Sequence, residues 1–290
     1  MGRVYLDYNA TAPLRAEARS AMIAAMDVVG NPSSVHAEGR AAKGLIERAR
    51  AQVARAFGAD GADIIFVSGA TEAAALACAG RGLQGADVEH DAVRAWIDPV
   101  LRVTAQGAVA VQEPGQTALQ LANSETGVVQ DLPDGVAVVD ATQAFGKLPV
   151  AFNWLGCEMA LVSAHKLGGP KGIGALVIKR GTDLAPQIRG GGQEMGRRSG
   201  TENIIGIAGF GAAAEAASQE LEAGVWGQVE KLRNILESTI EASEKETIFI
   251  GQEAKRLPNT ACFAAPGWKG ETQVMQMDLA GFAEIGRAHV

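Results

Sequence analysis

Val-Ala-Val-Val-Asp at residues 136–140 and Ala-Leu-Val-Ser-Ala-His-Lys at residues 160–166 are the two runs that decide the fold. Both open with continuous apolar, β-branched residues, which predicts buried parallel strands. Each run then passes directly into polar residues, and open α/β sheets bind their ligands at the carboxyl ends of the strands. The stretch 136–178 therefore predicts a cofactor site at one sheet edge, with Lys166 at its centre.

Two other apolar runs end in polar residues in the same way. Residues 64–67 lead into Ser68-Gly-Ala-Thr71 ahead of an alanine-rich helix, and residues 117–122 lead into Asn123-Ser124. A small-residue turn before a helix fits phosphate binding at the helix N-terminus, but a Ser or Thr there is also an ordinary N-cap. The sequence leaves both interpretations of residues 68–71 open.

Composition excludes several classes of protein. The net charge of −7 argues against nucleic acid as the main partner, and 47% hydrophobic residues support a sizeable core. No apolar run approaches the ~20 residues that span a bilayer, and no signal-peptide core opens the chain, so we expect a cytoplasmic protein and no membrane partner. The three cysteines, Cys78, Cys157 and Cys262, indicate reduced thiols, and the histidines show no metal-ligand spacing.

The polar residues at these strand ends are more informative together than singly. Asp140 alone fits a helix N-cap, His165 an interior histidine and Lys166 a surface lysine. Together an acid, an amide, a hydroxyl, an imidazole and an amine suit an aromatic, phosphorylated cofactor, with the amine forming a Schiff base and the carboxylate pairing with a ring nitrogen.

These motifs resemble those of the cysteine desulfurases, which are class V aminotransferases of fold type I that depend on pyridoxal phosphate. The resemblance covers residues 3 to about 283 and is carried by short motifs in the same order. They include Tyr-Leu-Asp-Tyr-Asn-Ala-Thr, Gly-Asn-Pro-Ser-Ser, Ser-Gly-Ala-Thr-Glu, Glu-His-Asp-Ala-Val, Asn-Ser-Glu-Thr-Gly, Val-Asp-Ala-Thr-Gln, Ser-Ala-His-Lys, Gly-Gly-Gly-Gln-Glu and Arg-Ser-Gly-Thr-Glu-Asn.

The resemblance implies a catalytic role for two residues and ring contacts for two more. Lys166 is similar to the Schiff-base lysine that also acts as the base at the substrate Cα. His90 is similar to the histidine that stacks on the ring and assists proton transfer. Asp140 resembles the partner of the pyridinium nitrogen, and Gln143 the amide that contacts the phenolic oxygen.

The remaining cofactor contacts follow from the same resemblance. The phosphate cup of the family matches Ala70, Thr71, Ser163 and His165, and Thr201 matches a phosphate ligand donated by the second subunit of a homodimer. Asn123 and Ser124 lie beside the expected ring position, where Ser124 replaces the second Asn usual in the family.

The resemblance implies an α/β fold, with a mostly parallel mixed sheet in the large domain and a smaller, incomplete α+β domain. We expect residues 1–14 to pack with the small domain, residues 15–220 to form the cofactor-binding domain and residues 221–283 the small domain. The implied activity converts L-cysteine to L-alanine and passes the sulfur as a persulfide to an acceptor or scaffold protein for iron–sulfur cluster or thio-cofactor assembly.

One departure from the family concerns the end of the sequence. The nucleophilic cysteine and the arginine for the substrate carboxylate lie, in the family, beyond the Asp-Leu-Ala motif, which here is residues 278–280. No Cys follows, so we expect a truncated chain that is inactive in sulfur transfer, with residues 284–290 a non-native tail. The alternatives are another class V enzyme, such as a selenocysteine lyase or an aminotransferase, and a non-catalytic cofactor-binding fragment.

Overall fold

The computed structural model describes residues 2–243 and 246–286. The last four residues of the expected non-native tail, 287–290, lie outside the described residues. The helices are α1 (Ala16–Met26), α2 (Ala37–Ala56), α3 (Ala70–Cys78), α4 (Asp91–Arg94), α5 (Ile204–Glu222), α6 (Val225–Glu241) and α7 (Gly270–Leu279). The strands are β1 (Val4–Tyr5), β2 (Asp63–Val67), β3 (Gln84–Ala86), β4 (Asp98–Leu101), β5 (Ala118–Gln120), β6 (Val138–Asp140), β7 (Met159–Ser163), β8 (Gly174–Ile178), β9 (Ile248–Phe249), β10 (Phe263–Ala264) and β11 (Phe282–Ala283).

A mixed sheet in the order β2-β8-β7-β6-β5 forms the centre of the molecule. Strands β5, β6 and β7 run parallel, whereas β8 is antiparallel to both of its neighbours. The parallel pair β3–β4 joins the β5 side through one parallel bridge between Gln84 and Thr117. The predicted α/β architecture with a mostly parallel mixed sheet is therefore confirmed.

Alternate side chains of the sheet pack into two separate hydrophobic cores, one on each face. In β2, Ile64 and Phe66 enter the larger core with residues of α2 and α5, whereas Ile65 and Val67 enter a second core with α3. This is the alternation expected when both faces of a sheet are covered. On the first face, a Cβ on Gly211 of α5 would lie 2.7 Å from the Cα of Ala49, so only glycine permits this helix contact.

The glycine-rich segment 168–174 forms a tight turn between two adjacent strands. It connects β7 to the antiparallel β8, and Gly168 and Gly172 have φ values of +85° and +76°. A Cβ on Gly174 would lie 2.9 Å from the backbone of Gly69, which precedes α3. This close approach sets the position of the α3 N-terminus relative to the end of β7.

The remaining elements lie outside the central sheet. Strands β9 and β10 form an antiparallel pair, and β1 pairs in parallel with β11, with Val4 opposite Phe282. The proposed division of the chain into an N-terminal segment, a large domain and a small domain, with boundaries at residues 14, 220 and 283, stays a prediction. Helix α6 carries apolar residues at helical spacing, from Val225 to Leu236, but Leu232 is 68% exposed on it. None of the helices in the described ranges has the length and apolar character needed to cross a membrane.

Candidate active site

A cavity of about 580 Å³ lies at the carboxyl ends of β6 and β7. Most of the residues singled out from the sequence line it, namely Ala70, Thr71, His90, Ser124, Asp140, Gln143, Ser163, His165 and Lys166. Residues of the N-terminal segment, Ala10 and Thr11, close one wall. The strands thus bring an amine, a carboxylate, an amide, hydroxyls and imidazoles to one volume, as their shared sheet edge predicts.

Lys166 lies in the short 3-10 turn Ala164–Lys166 that directly follows β7. Its Nζ donates to the backbone carbonyls of Asn9 and, at 3.0 Å, Ala10. Burial lowers the pKa of this amine, and the nearby carboxylates of Asp140, Asp7 and Glu125 offset part of that effect. A lowered pKa increases the fraction of free amine, the form that attacks a carbonyl carbon.

Asp140 ends β6, and its carboxylate is buried in the wall of the cavity. Oδ1 accepts from the backbone N–H of Thr142 at 2.9 Å. Burial raises the pKa of this carboxyl, against the opposing effect of the Thr142 hydrogen bonds and of His90 and Lys166. A buried carboxylate with acceptor capacity left over favours a ligand that presents a cationic N–H.

The N-terminus of α3 opens onto the same cavity. Its N-cap position is Gly69, and no side chain caps the helix. The first N–H groups of a helix have no intrahelical acceptor and carry the positive end of the helix dipole. Because Ser68 and Thr71 do not cap α3, the phosphate-site interpretation gains support over the N-cap interpretation.

His165 faces the cavity as a neutral imidazole. Burial, with the positive charges of Lys166, Lys171 and Lys147, lowers its pKa to about 4. Its Nδ1 lies 3.2 Å from Oγ1 of Thr11. A neutral ring keeps one N–H donor, so His165 can bind an anion without carrying charge itself.

His90 begins the short helix α4 and is exposed on the rim of the cavity. Its Nδ1 accepts from the backbone N–H of Ala92 at 3.1 Å. This bond fixes the ring as the N-cap of α4 and places the proton of a neutral imidazole on Nε2.

Two predicted site residues do not line the cavity. Asn123 is buried, and its Oδ1 accepts from the backbone N–H groups of Glu125 and Thr126 at 3.0 and 2.9 Å, so it shapes the turn that presents Ser124. Thr201 is exposed at the end of the glycine-rich loop that precedes α5. The roles of all the site residues stay predictions.

The sequence analysis missed three polar residues that organise the site: Asn9, Lys147 and Thr142. The backbone carbonyl of Asn9 accepts from both Lys166 Nζ and, at 2.9 Å, Gln143 Nε2. Its side chain accepts from Lys147 and donates to Thr260 Oγ1 at 2.8 Å. Residues 7–11 also follow an apolar run and end in polar side chains, and that same signal would have identified Asn9.

The side chains fit pyridoxal phosphate on three points. Lys166 supplies a partly buried amine, the α3 N-terminus lacks a side-chain cap, and Asp140 has spare acceptor capacity. An amine, an anion site and a carboxylate are the groups this cofactor requires. No cluster of His, Cys, Asp or Glu side chains suited to a metal ion occurs within residues 2–243 and 246–286.

Comparisons with known proteins show the family to which the chain belongs. The Aminotransferase class-V family model matches residues 4–93 and 107–283. A cysteine desulfurase of Cereibacter sphaeroides is 39% identical over 97% of this chain and 81% of its own length. The cysteine desulfurase IscS of Dictyoglomus turgidum is 34% identical over 96% of this chain and 79% of its own length.

Solved structures show the same relationship. A NifS-like protein from Rickettsia africae superposes with a TM-score of 0.90 at 30% identity, over 99% of this chain and 88% of that chain. SspA in complex with cysteine superposes with a TM-score of 0.78 at 26% identity, over 98% of this chain and 90% of that chain. Fold and site thus define the class V aminotransferase architecture. Within that class, the chain belongs to the cysteine desulfurase family.

Proposed function

We propose that this chain binds pyridoxal phosphate and performs the carbon chemistry of a cysteine desulfurase on L-cysteine. One observation carries the proposal: a single cavity holds the half-buried amine of Lys166, the buried carboxylate of Asp140 and an uncapped helix N-terminus. The names of the relatives support L-cysteine as the substrate.

Each side chain has a defined task in this proposal. The α3 N–H groups, Ser163 and the neutral His165 would bind the phosphate, and the Asp140 carboxylate would accept a hydrogen bond from the protonated ring nitrogen. Bound pyridoxal phosphate supplies an electron sink for negative charge at the substrate Cα. Lys166 first holds the cofactor and then moves the Cα proton at its Nζ, for which its lowered pKa is suited.

The sulfur step requires a thiolate, because the thiol is a poor nucleophile. Burial raises the pKa of Cys78 and of Cys157 to about 12 each, and it raises the pKa of Cys262 as well. No cysteine within the described residues lines the cavity. We therefore place the sulfur-accepting thiolate outside these three residues and expect little persulfide from the 290-residue chain alone.

A homodimer is part of the proposal. Thr201 is exposed and absent from the lining of its own cavity, as expected of a residue that completes the phosphate site of a second subunit. The sulfur would leave the dimer on an acceptor or scaffold protein for cluster or thio-cofactor assembly.

Titration with pyridoxal phosphate tests cofactor binding. We expect a visible absorbance band in the wild-type chain that borohydride reduction fixes covalently and that Lys166→Ala abolishes. Lys43→Ala, at an exposed position on α2, is the control and should retain the band. A wild-type chain without a band would overturn the proposal.

A second assay separates the carbon chemistry from the sulfur transfer. With L-cysteine and a reducing thiol, we expect slow alanine formation, in which the added thiolate accepts the sulfur as a small-molecule persulfide when the C–S bond breaks, and little protein-bound persulfide. Replacing Cys78, Cys157 and Cys262 by alanine removes every thiol on which this chain could carry a persulfide. Robust persulfide formation by the wild-type chain would therefore locate the nucleophile on one of these three cysteines and refute its placement elsewhere.

A further inference from the structure

Lys147 is a buried lysine without a carboxylate partner. It is 3% exposed, and within the described part of the chain no Asp or Glu oxygen lies within 4.0 Å of its Nζ. Burial, with the charge of Lys166, lowers its pKa to about 7. Burying an amine costs free energy unless its N–H groups find acceptors, so its acceptors indicate what the residue does.

The two acceptors of Lys147 belong to the site. Its Nζ donates to Gln143 Oε1 at 2.8 Å and to Asn9 Oδ1 at 3.1 Å. This bond and the bond from Gln143 to Asn9 require the same orientation of the Gln143 amide, since Lys147 Nζ donates to Oε1 and the backbone carbonyl of Asn9, which can only accept, faces Nε2. Oε1 must therefore face Lys147, and Nε2 must face the other way.

The orientation of the amide determines what Gln143 offers the cavity that it lines. Nε2 carries two N–H groups, of which one donates to the backbone carbonyl of Asn9 at 2.9 Å. The second N–H is left for a ligand. A flipped amide would present its carbonyl oxygen instead and would repel an anionic ligand oxygen.

We propose that Lys147 is a positioning residue that locks Gln143 as a hydrogen-bond donor toward an anionic oxygen in the cavity. This inference rests on the proposed function, in which that oxygen is the phenolic oxygen of pyridoxal phosphate. Through Asn9, Lys147 also steadies the carbonyl that accepts from both Gln143 and Lys166.

A double-mutant cycle on the chain without added cofactor tests the Lys147–Gln143 link. Lys147→Met and Gln143→Met preserve side-chain length, and each leaves the other partner unsatisfied. We expect the fall in Tm of the double variant to be clearly smaller than the sum of the single falls. Additive falls would overturn the inference. Lys43→Met combined with Gln143→Met is the matched control and should be additive.

Cofactor titration tests the consequence for the ligand. We expect Lys147→Met to weaken pyridoxal phosphate binding about tenfold, the loss of one hydrogen bond to a charged group, and to shift the absorbance maximum. In a Gln143→Met background, Lys147→Met should change the absorbance maximum no further. A further shift there, or an unchanged Kd and spectrum in Lys147→Met, would show that Lys147 does not act through Gln143.

These outcomes distinguish a failure of the proposed function from a failure of the inference about Lys147. A wild-type chain without an absorbance band refutes the proposed function and, with it, the assignment of the anionic oxygen. A wild-type band together with an additive cycle refutes the inference alone.

Discussion

Arg50 and Glu194 form a two-point ion pair, with both nitrogen–oxygen distances at 2.9 Å. The carboxylate side chain is 2% exposed and the guanidinium side chain 18%. Glu194 also accepts from the backbone N–H of Phe66, and the Arg50 guanidinium lies 5.0 Å from the centre of the Phe66 ring. The pair fixes the loop before α5 to α2 and β2. Within that loop Glu194 and Met195 have φ values of +47° and +58°, which are uncommon for residues other than glycine, and the ion pair helps to hold this backbone conformation.

Breaking this pair should destabilise the chain strongly. Arg50→Met leaves a buried carboxylate uncompensated, so we expect the free energy of unfolding to fall by about 3–5 kcal/mol in urea titrations. Arg55→Met, on the same helix, is the control, because its contact to Glu215 is 3.7 Å long and its side chain is 60% exposed. That variant should lose less than about 1 kcal/mol. Equal losses in the two variants would contradict this account.

Glu89 should make stability depend on pH. The residue is 4% exposed, and among the described residues neither carboxyl oxygen has a partner within hydrogen-bond geometry. Burial raises the pKa of this carboxyl to about 8, and the nearby backbone N–H of Gln120 offsets only part of that effect. The folded chain then holds a proton that the unfolded chain releases above pH ~4.3, so stability is lost as the pH rises from there to about 8.

The test is the unfolding free energy across that pH window. Glu89→Gln should flatten the pH dependence by a few kcal/mol, measured without cofactor. Glu17→Gln, at an exposed position on α1, is the control and should leave it unchanged. The same slope in Glu89→Gln as in the wild type would show that this carboxyl is ionised in the fold.

Arg198 should influence phosphate binding at a distance. Its Nε donates to Glu72 Oε1 at 2.8 Å, and Glu72 Oε2 accepts from the backbone N–H of Ser68 at 2.8 Å. Because Glu72 lies in the first turn of α3, Arg198→Ala should loosen the phosphate site and raise the Kd for pyridoxal phosphate by roughly three- to tenfold.

The opposite end of α3 offers the control for Arg198. Arg81 pairs with Glu158 at 2.7 Å just beyond the C-terminus of that helix. Arg81→Ala should leave the Kd within about twofold of wild type. Equal effects of the two substitutions would indicate a general loss of stability and not a local one.

Asp140 should carry a stability cost in the chain without cofactor. Burial raises the pKa of its carboxyl, so the ionised form costs more free energy in the folded chain than in the unfolded one. Asp140→Asn should therefore raise Tm at pH 7, with the gain disappearing below the unfolded pKa of about 3.9. In the loaded protein the same substitution should remove most of the activity. A lower Tm at pH 7 would contradict this interpretation.

Local sequence patterns predicted much of the sheet and the polar residues at its strand ends that line the cavity, whereas His90 was assigned only by resemblance to the family. Asp140 and Ser163 end their strands, and His165 and Lys166 follow directly, so strand prediction alone brings them together. Residues 109–111, which have an apolar pattern, form no strand in the structure and contribute one isolated bridge, from Val109 to Val103. Short apolar runs do not distinguish a strand from a loop that packs on the core.

The network behind the cavity wall could not be predicted in this way. Gln143 lies 134 residues from Asn9, and Thr260 lies 251 residues from it. Such pairs follow from the tertiary arrangement and leave no periodic signal in the sequence. The same limit applies to Lys147, which the sequence alone does not distinguish from a solvent-exposed lysine.

The pairing of β1 with β11 has a consequence for biosynthesis. Val4 lies opposite Phe282, and the Asn9 side chain is held by Asn259 and Thr260. On the ribosome, residues 4–9 must wait until residues 259–283 have been synthesised before they are fixed in place. Closing so long a loop is entropically costly and slows folding. The sheet and most of its two cores can form earlier, so the nascent chain acquires a stable scaffold before Asn9 takes its place in the wall of the cavity.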